Sequence, residues 1–528
     1  MMMRLAAVVV GLALASVGIS PALAAGDLAN GAVVYKKACE QCHGVDGAGD
    51  GPAATFMLPR PRIFKENSSY KFRTTPSGEL PTDQDLFDII SRGLPGTSMP
   101  PFSALTEQER WDLVVFIKSL SEDFADPDYT STAIPMPELT NAQPPPVTPE
   151  LLAKGKELWD INQCAKCHGE YGRGNGTSWP DLQDDWTNPD TGKRTYILPA
   201  NLTNLESYRG GSSSFDIYRT ISTGLNGTPM PAYSDSIPPA DRWALVAYVE
   251  SLAPPRKESR DDTVMAVRVA SMPESGSDGA WDAVPAARFQ THSNVIEAPR
   301  LFWSSVEFVT AQAVFNDDEI AMRIQWDDRS HSKGTDDETV YEDRDGRILR
   351  QTPHPDQFAV QFPAKNDPKA RPYILMGDKK RPVNLWWWRA DKGEGLVEMN
   401  AKGWDQFTTQ DDSGQGLSGA VTYDDGRYTM FVRRTLVTET ASQDIQFVPG
   451  RFVPIGFNVW DGDRGELGQR RSMTTWYWLY LQPDTPMRAY TLPPVAFLLT
   501  LVLLGFIVAR TQRLEAAIVG DDDTQSAA

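Results

Sequence analysis

Hydrophobic and polar residues follow two different rhythms along this chain. From Gly31 to Leu120, and again from Gly155 to Leu252, apolar residues recur at helical spacing. They do so before a Cys-x-x-Cys pair and after a Met-Pro element, which predicts helices flanking each stretch. From about Arg256 the rhythm becomes period two. The runs Glu319–Trp326, Phe358–Phe362, Tyr428–Arg433, Pro454–Trp460 and Ser472–Tyr480 are rich in Val, Phe, Tyr and Trp, with Asp, Gly and Asn between them. That alternation predicts the strands of an all-β sandwich over 265–485.

Two uninterrupted apolar runs stand apart. Met1–Arg4, the apolar run Leu5–Val17 and the small-residue site Ala22-Leu23-Ala24 predict a cleaved signal peptide over 1–24. Leu492–Ala509 carries no charge and is followed by Arg510 and Arg513. It is long enough for a transmembrane helix, and the arginines assign the tail 510–528 to the cytoplasmic side. The intervening chain is then expected on the periplasmic face of the inner membrane, held by one C-terminal anchor.

The two helical stretches are repeats. Each contains, in order, a Cys-x-x-Cys-His-Gly element (Cys39–Gly44; Cys164–Gly169), a Gly-rich loop ending in Met-Pro (Gly93–Pro100; Gly224–Pro231) and an Arg-Trp helix (Arg110–Ile117; Arg242–Val249). The separation from His to Met is 56 residues in the first copy and 62 in the second. We therefore expect two all-α domains, 26–123 and 148–253. Between them the Pro-rich segment 124–147 reads as an extended spacer, and Ala253–Arg256 closes the second.

Charge and cysteine content narrow the chemistry. The 528 residues include 51 Lys+Arg against 70 Asp+Glu, a net charge of −19, which argues against nucleic acid as a partner. The four cysteines all fall in the two Cys-x-x-Cys pairs, so a disulfide framework is not expected.

Cys-x-x-Cys-His is the attachment signature of c-type haem: Cys39, Cys42, Cys164 and Cys167 each supply a thioether, and His43 and His168 bind iron. Met99 and Met230 are the candidate distal ligands, since a thioether opposite histidine gives a high-potential centre. With both axial positions filled, such a centre passes electrons and offers no open site to a substrate. Pro61 and Pro199 are the positions expected to turn a carbonyl toward the other ring nitrogen of each histidine. These features resemble class I cytochrome c domains.

The β region contains no cysteine, nucleophile elbow or phosphate loop, and its histidines are His292, His331 and His354. Met376–Ala390, with its Met-Gly-x-x-x-Arg-Pro-Val-Asn element, and the later stretch Phe457–Ser472 resemble the γ subunit of ethylbenzene dehydrogenase and its relatives in the type II dimethyl sulfoxide reductase family. The resemblance implies a β-sandwich with one non-covalent haem b. It also implies Met376 as an iron ligand, a molybdopterin catalytic subunit and an iron–sulfur subunit. His292 is the candidate second ligand, ahead of Met430 and Lys379; Met376 and Trp386–Trp388 as plain sandwich core is the competing reading. The expected molecule is a multidomain, non-catalytic electron-transfer subunit with two haems c and one haem b. It would exchange electrons with a soluble cytochrome c or a membrane respiratory complex, and high-potential haems favour a donor such as nitrite. The alternatives are a dihaem cytochrome feeding a terminal oxidase or sugar dehydrogenase, with the β domain as docking module, and a dihaem peroxidase, against which the paired Met-Pro loops speak.

Overall fold

A computed structural model describes residues 26–57, 59–65, 70–136, 143–187, 194–255, 261–334, 353–404, 406–484 and 487–525. The signal peptide expected over 1–24 lies outside these residues.

The first repeat folds as α1 (Leu28–Ala38), α2 (Glu40–His43), α3 (Asp83–Arg92) and α4 (Glu107–Ser119). Local chemistry starts each longer helix. Asp27 caps α1, accepting from the N–H groups of Ala29 and Asn30, while Thr82 with Asp85 and Thr106 with Glu109 form capping boxes on α3 and α4. Helix α1 crosses α4 at Gly31, where a Cβ would sit 2.2 Å from the Asp112 carbonyl oxygen, so glycine alone permits the approach. Tyr35, Leu86, Ile90, Leu113, Val114 and Ile117 fill the core.

The second repeat copies this plan as α5 (Pro149–Ile161), α6 (Ala165–His168), α7 (Ser214–Thr223) and α8 (Pro239–Ser251). Gly155 takes the part of Gly31, with a Cβ position 2.2 Å from the Ala244 carbonyl oxygen. A short hairpin, β1 (Gln183–Thr187) with β2 (Arg194–Tyr196), is added between α6 and α7.

The segment between the repeats is not a free spacer. The Ile134 N–H donates to Thr74, Thr130 accepts from the Leu80 N–H, and Met136 is buried in the core of the second repeat. Ile134 and Met136 pack this segment onto the core of the second repeat. The repeats also meet through a buried ion pair, Lys71 Nζ to Asp184 at 2.9 Å, and through Lys71 Nζ donating to the Asn226 carbonyl at 2.8 Å.

The β region begins with β3 (Thr263–Arg268), β4 (Ala287–Gln290), β5 (His292–Ser293), β6 (Phe308–Phe315), β7 (Glu319–Asp327), β8 (Gln357–Pro363) and β9 (Val383–Arg389). It continues with β10 (Val397–Ala401), β11 (Phe407–Thr409), β12 (Ser418–Asp424), β13 (Arg427–Thr435), β14 (Phe452–Trp460), β15 (Ser472–Met473) and β16 (Tyr477–Leu481). The strand order is β11-β10-β9-β8-β14-β16-β3-β6-β7-β13-β12, folded on itself at β14. Phe452–Ile455 of β14 pair with β16, whereas Gly456–Trp460 pair with β8. One strand thus serves both faces of a sandwich whose interior holds Phe289, Met322, Trp326, Phe358, Trp386 and Phe457. The same corner breaks the run expected over Ser472–Tyr480. Its first residues pair with β14 and β5 in one sheet, and its last with β14 and β3 in the other.

Helix α9 (Met487–Gln525) ends the described chain, and Met487–Ala516 is long and apolar enough to cross a membrane. The helix overruns the expected 492–509 at both ends, running through Pro493 and Pro494 near its start and Gly520 near its end.

Candidate functional site

In each repeat the Cys-x-x-Cys-His element is one short helix, α2 or α6, closed by a glycine at positive φ, 81° at Gly44 and 80° at Gly169. No disulfide joins the four cysteines. Burial pushes the Cys39 thiol up to about 12 and the Cys164 thiol up to about 11. His43 Nδ1 lies 3.0 Å from the Arg62 carbonyl and His168 Nδ1 3.2 Å from the Ala200 carbonyl. These carbonyls each lie one residue beyond the expected Pro61 and Pro199. The Pro199 carbonyl instead accepts from Arg329 Nη2 at 3.0 Å. With Nδ1 engaged by a carbonyl, Nε2 is the nitrogen available to a metal. Burial lowers the pKa of His43 to about 4 and also lowers that of His168, which keeps both rings neutral. Phe64 stacks on the His43 ring at 4.4 Å, and Trp159 lies 6.0 Å from that of His168.

The methionine loops are built alike. Leu94 N–H donates to the Met99 carbonyl and Leu225 N–H to the Met230 carbonyl, at 3.1 and 3.2 Å. Thr97 and Thr228 accept from the Met99 and Met230 N–H groups at 3.1 and 3.2 Å. Gly93 and Gly224 open the loops at φ 69° and 62°, where a Cβ would meet Pro100 and Pro231 at 2.6 Å.

Cys164, Cys167, His168 and Met230 line one cavity of about 940 Å³. Its walls come from all three folded regions. Pro59–Ile63 and Gly96–Ser98 arrive from the first repeat and adjoin His43 and Met99, while Gln290–Ser293, Phe302–Ser305, Arg329 and Arg464 arrive from the β region. A planar macrocycle fits this donor set and volume. Arg329 Nε and Arg464 Nε and Nη2, buried without a hydrogen-bond partner, suit its carboxylates.

Met376 is buried at φ 63° against Val383, Leu385, Trp387, Ala401 and Trp460 on the outer face of the sheet that contains β8 and β9. Register places Trp387, Ala359, Asn458, Met473 and His292 in one row across β9, β8, β14, β15 and β5, and cross-strand partners point to the same face. Met473 is buried, whereas His292 is exposed at the end of the row, where it also lines the large cavity. Met430 lies inside the sandwich and Lys379 on an exposed turn, so neither stands on this face with Met376. Met473 was not singled out by the sequence, because a methionine in a strand carries no motif. Arg471 is fully buried over Trp404 and Trp460, its Nη2 has no hydrogen-bond partner, and burial pushes it down to about 9.

Comparison with known proteins agrees with this division. Over 218 residues the chain is 29% identical to a Haloferax mediterranei protein named as a respiratory nitrate reductase heme subunit, a match covering 40% of this chain and 70% of that one. Over 178 residues it is 30% identical to the chlorate reductase subunit gamma of Ideonella dechloratans, covering 33% and 65%. Over 102 residues it is 30% identical to a cytochrome c of Gibberella zeae, covering 18% of this chain and 96% of that protein. Residues 28–121 and 152–253 match the cytochrome c family model, and 278–420 match the model described as ethylbenzene dehydrogenase. The chain belongs to the cytochrome c family through its two helical repeats, and joins them to a β domain of the ethylbenzene dehydrogenase kind.

Proposed function

We propose that this chain is the electron-transfer haem subunit of a molybdenum oxidoreductase, anchored by α9 with residues 26–484 on the periplasmic side. The observation that carries the reading is the shared cavity, where the ligand set of the second repeat meets loops adjoining His43 and Met99 on one side and the β domain on the other. The names of the nitrate and chlorate reductase relatives support it. Its partners are then a molybdopterin catalytic subunit and an iron–sulfur subunit at the β domain, with a soluble cytochrome or membrane complex at the far end.

Two haems c would be held through Cys39, Cys42, Cys164 and Cys167, with His43 and Met99, and His168 and Met230, as the residues that would bind iron. Bound iron supplies one-electron chemistry by alternating between two oxidation states. The polypeptide contributes the rest. The Arg62 and Ala200 carbonyls orient the imidazoles, the threonine-braced loops present the thioethers, and aromatic walls exclude water. In the β domain Met376 is the ligand for a haem b. Met473 on the same face is the better-buried second ligand, in place of His292, and the buried Arg471 supplies charge for a carboxylate.

Pigment analysis of the purified chain tests this. Two covalent haems and one haem extractable with acid acetone are expected. Cys164→Ser with Cys167→Ser should remove one covalent haem, and Met376→Ala should remove the extractable one while the c-type bands stay. Fewer than two thioether-linked haems overturns the relay, and absence of extractable haem restricts it to the cytochrome domains. Peroxide turnover by the isolated chain would point to an enzyme instead.

A further inference from the structure

The cavity around His168 is basic in an acidic protein. Seven Lys and Arg residues line it against Asp184 and Glu307, while the whole chain carries −19. Asp184 balances two of the seven, Lys71 and Arg62, and Glu307 acts on Arg209 and Arg329, so the cations outnumber the two carboxylates. Asp184 is engaged by Lys71 at 2.9 Å with Arg62 at 3.8 Å, and Glu307 accepts from Asn204 and Ser207 at 2.7 and 2.9 Å. Arg209 lines the cavity with an accessible side chain, yet lies deep enough that desolvation pushes it down to about 10. Arg329 spends Nη2 on the Pro199 carbonyl and leaves Nε buried without a hydrogen-bond partner, and Arg464 leaves Nε and Nη2 in the same state.

Behind these two arginines lie Asp328, Asp356 and Asp461, whose carboxylate oxygens are within 4.8 Å of one another. Burial and mutual repulsion raise Asp328 and Asp356 well above the usual carboxylate range. No carboxylate of this trio hydrogen-bonds Arg329 Nε or Arg464 Nε and Nη2, so these guanidinium edges remain available to a ligand in the cavity. Buried guanidinium groups are stable only when paired, and they match a carboxylate edge in shape.

We propose that Arg62, Arg209, Arg329 and Arg464 form an anion seat for the two carboxylate side chains of the porphyrin attached at Cys164 and Cys167. One cofactor edge is then clasped by all three domains. This rests on the haem assignment made above. The four are positioning residues, and their effect is electrostatic. The oxidised centre carries one more positive charge than the reduced one, so nearby guanidinium groups favour reduction and raise the midpoint potential. Removing them lowers it.

The test is a redox titration of the detergent-purified holoprotein, followed in the c-type absorption band. In Arg329→Gln/Arg464→Gln, one of the two c-type midpoints should fall by at least a tenfold change in the oxidised-to-reduced ratio, about 59 mV for one electron. The other should stay in place, and Arg329→Lys should retain most of the wild-type value. Unchanged midpoints in a variant with full covalent haem overturn the proposal. So does Arg329→Lys falling as far as Arg329→Gln, which marks a packing role. A wild-type chain without haem at Cys164 and Cys167 fails at the earlier step, so failure of the haem assignment is told apart from failure of the seat.

Discussion

Glu466 is a carboxyl placed where ionisation is unfavourable. It is buried, accepts from Ser305 Oγ at 2.6 Å and from the Asp461 N–H at 3.2 Å, and faces the charge of Asp461, with Arg464 only partly offsetting it. Desolvation, then Asp461, push it up to about 8 from an ordinary value of 4.5, and Asp461 itself rises to about 6. The folded state thus holds protons that the unfolded chain has released, and stability falls with rising pH wherever that holds. The contribution of Glu466 is complete below pH 4.5 and lost as pH climbs through 8. The urea midpoint of the β domain, read by tryptophan fluorescence, should be lower at pH 9 than at pH 6, and Glu466→Gln should narrow the gap. Equal midpoints at the two pH values would mean that Glu466 is already ionised at pH 6.

At the scale of elements, one ion pair ties the two layers of the sandwich. Arg434 on β13 bonds Glu398 on β10 at 3.0 Å with both side chains fully buried, and Asn384 on β9 donates to the same carboxylate at 3.0 Å. Arg434→Met strands the carboxylate near Asp444 and should cost about 3–5 kcal/mol in denaturant-measured stability. Replacing Glu398 as well, by Leu, should recover much of that loss. A loss under about 1 kcal/mol for the single variant would mean that water reaches the pair. Such cross-sheet ties are what the sequence leaves unread. Helices α1, α4, α5 and α8 were legible because 3.6-residue periodicity is local, and the ligand set because Cys-x-x-Cys-His and Met-Pro are contiguous and repeated. Helices α3 and α7 were passed over although Thr82/Asp85 and Ser213/Asp216 carry capping boxes. The corner at Gly456, the row joining Trp387 to His292, and the arginines converging from three domains depend on pairing between distant residues. No window of sequence contains them.

For the whole molecule, the 30 residues Met487–Ala516 rise about 45 Å as a helix, against a hydrocarbon core of about 30 Å. Deleting residues 487–528 should leave the chain in the supernatant after high-speed centrifugation without detergent, with its visible spectrum unchanged. Retention in the pellet would show a second membrane contact. The two cytochrome domains are bound into one body by Lys71 with Asp184, by Arg92 with Asp216 at 2.9 Å and by Met136 set into the second core. Tethered electron carriers on loose linkers must diffuse into register before each transfer, so their rates drop as the medium thickens. Carriers fixed in a single block have no such search to make. Internal electron transfer here should therefore keep its rate in concentrated glycerol, and Lys71→Met, by loosening the block, should make that rate sensitive to solvent friction.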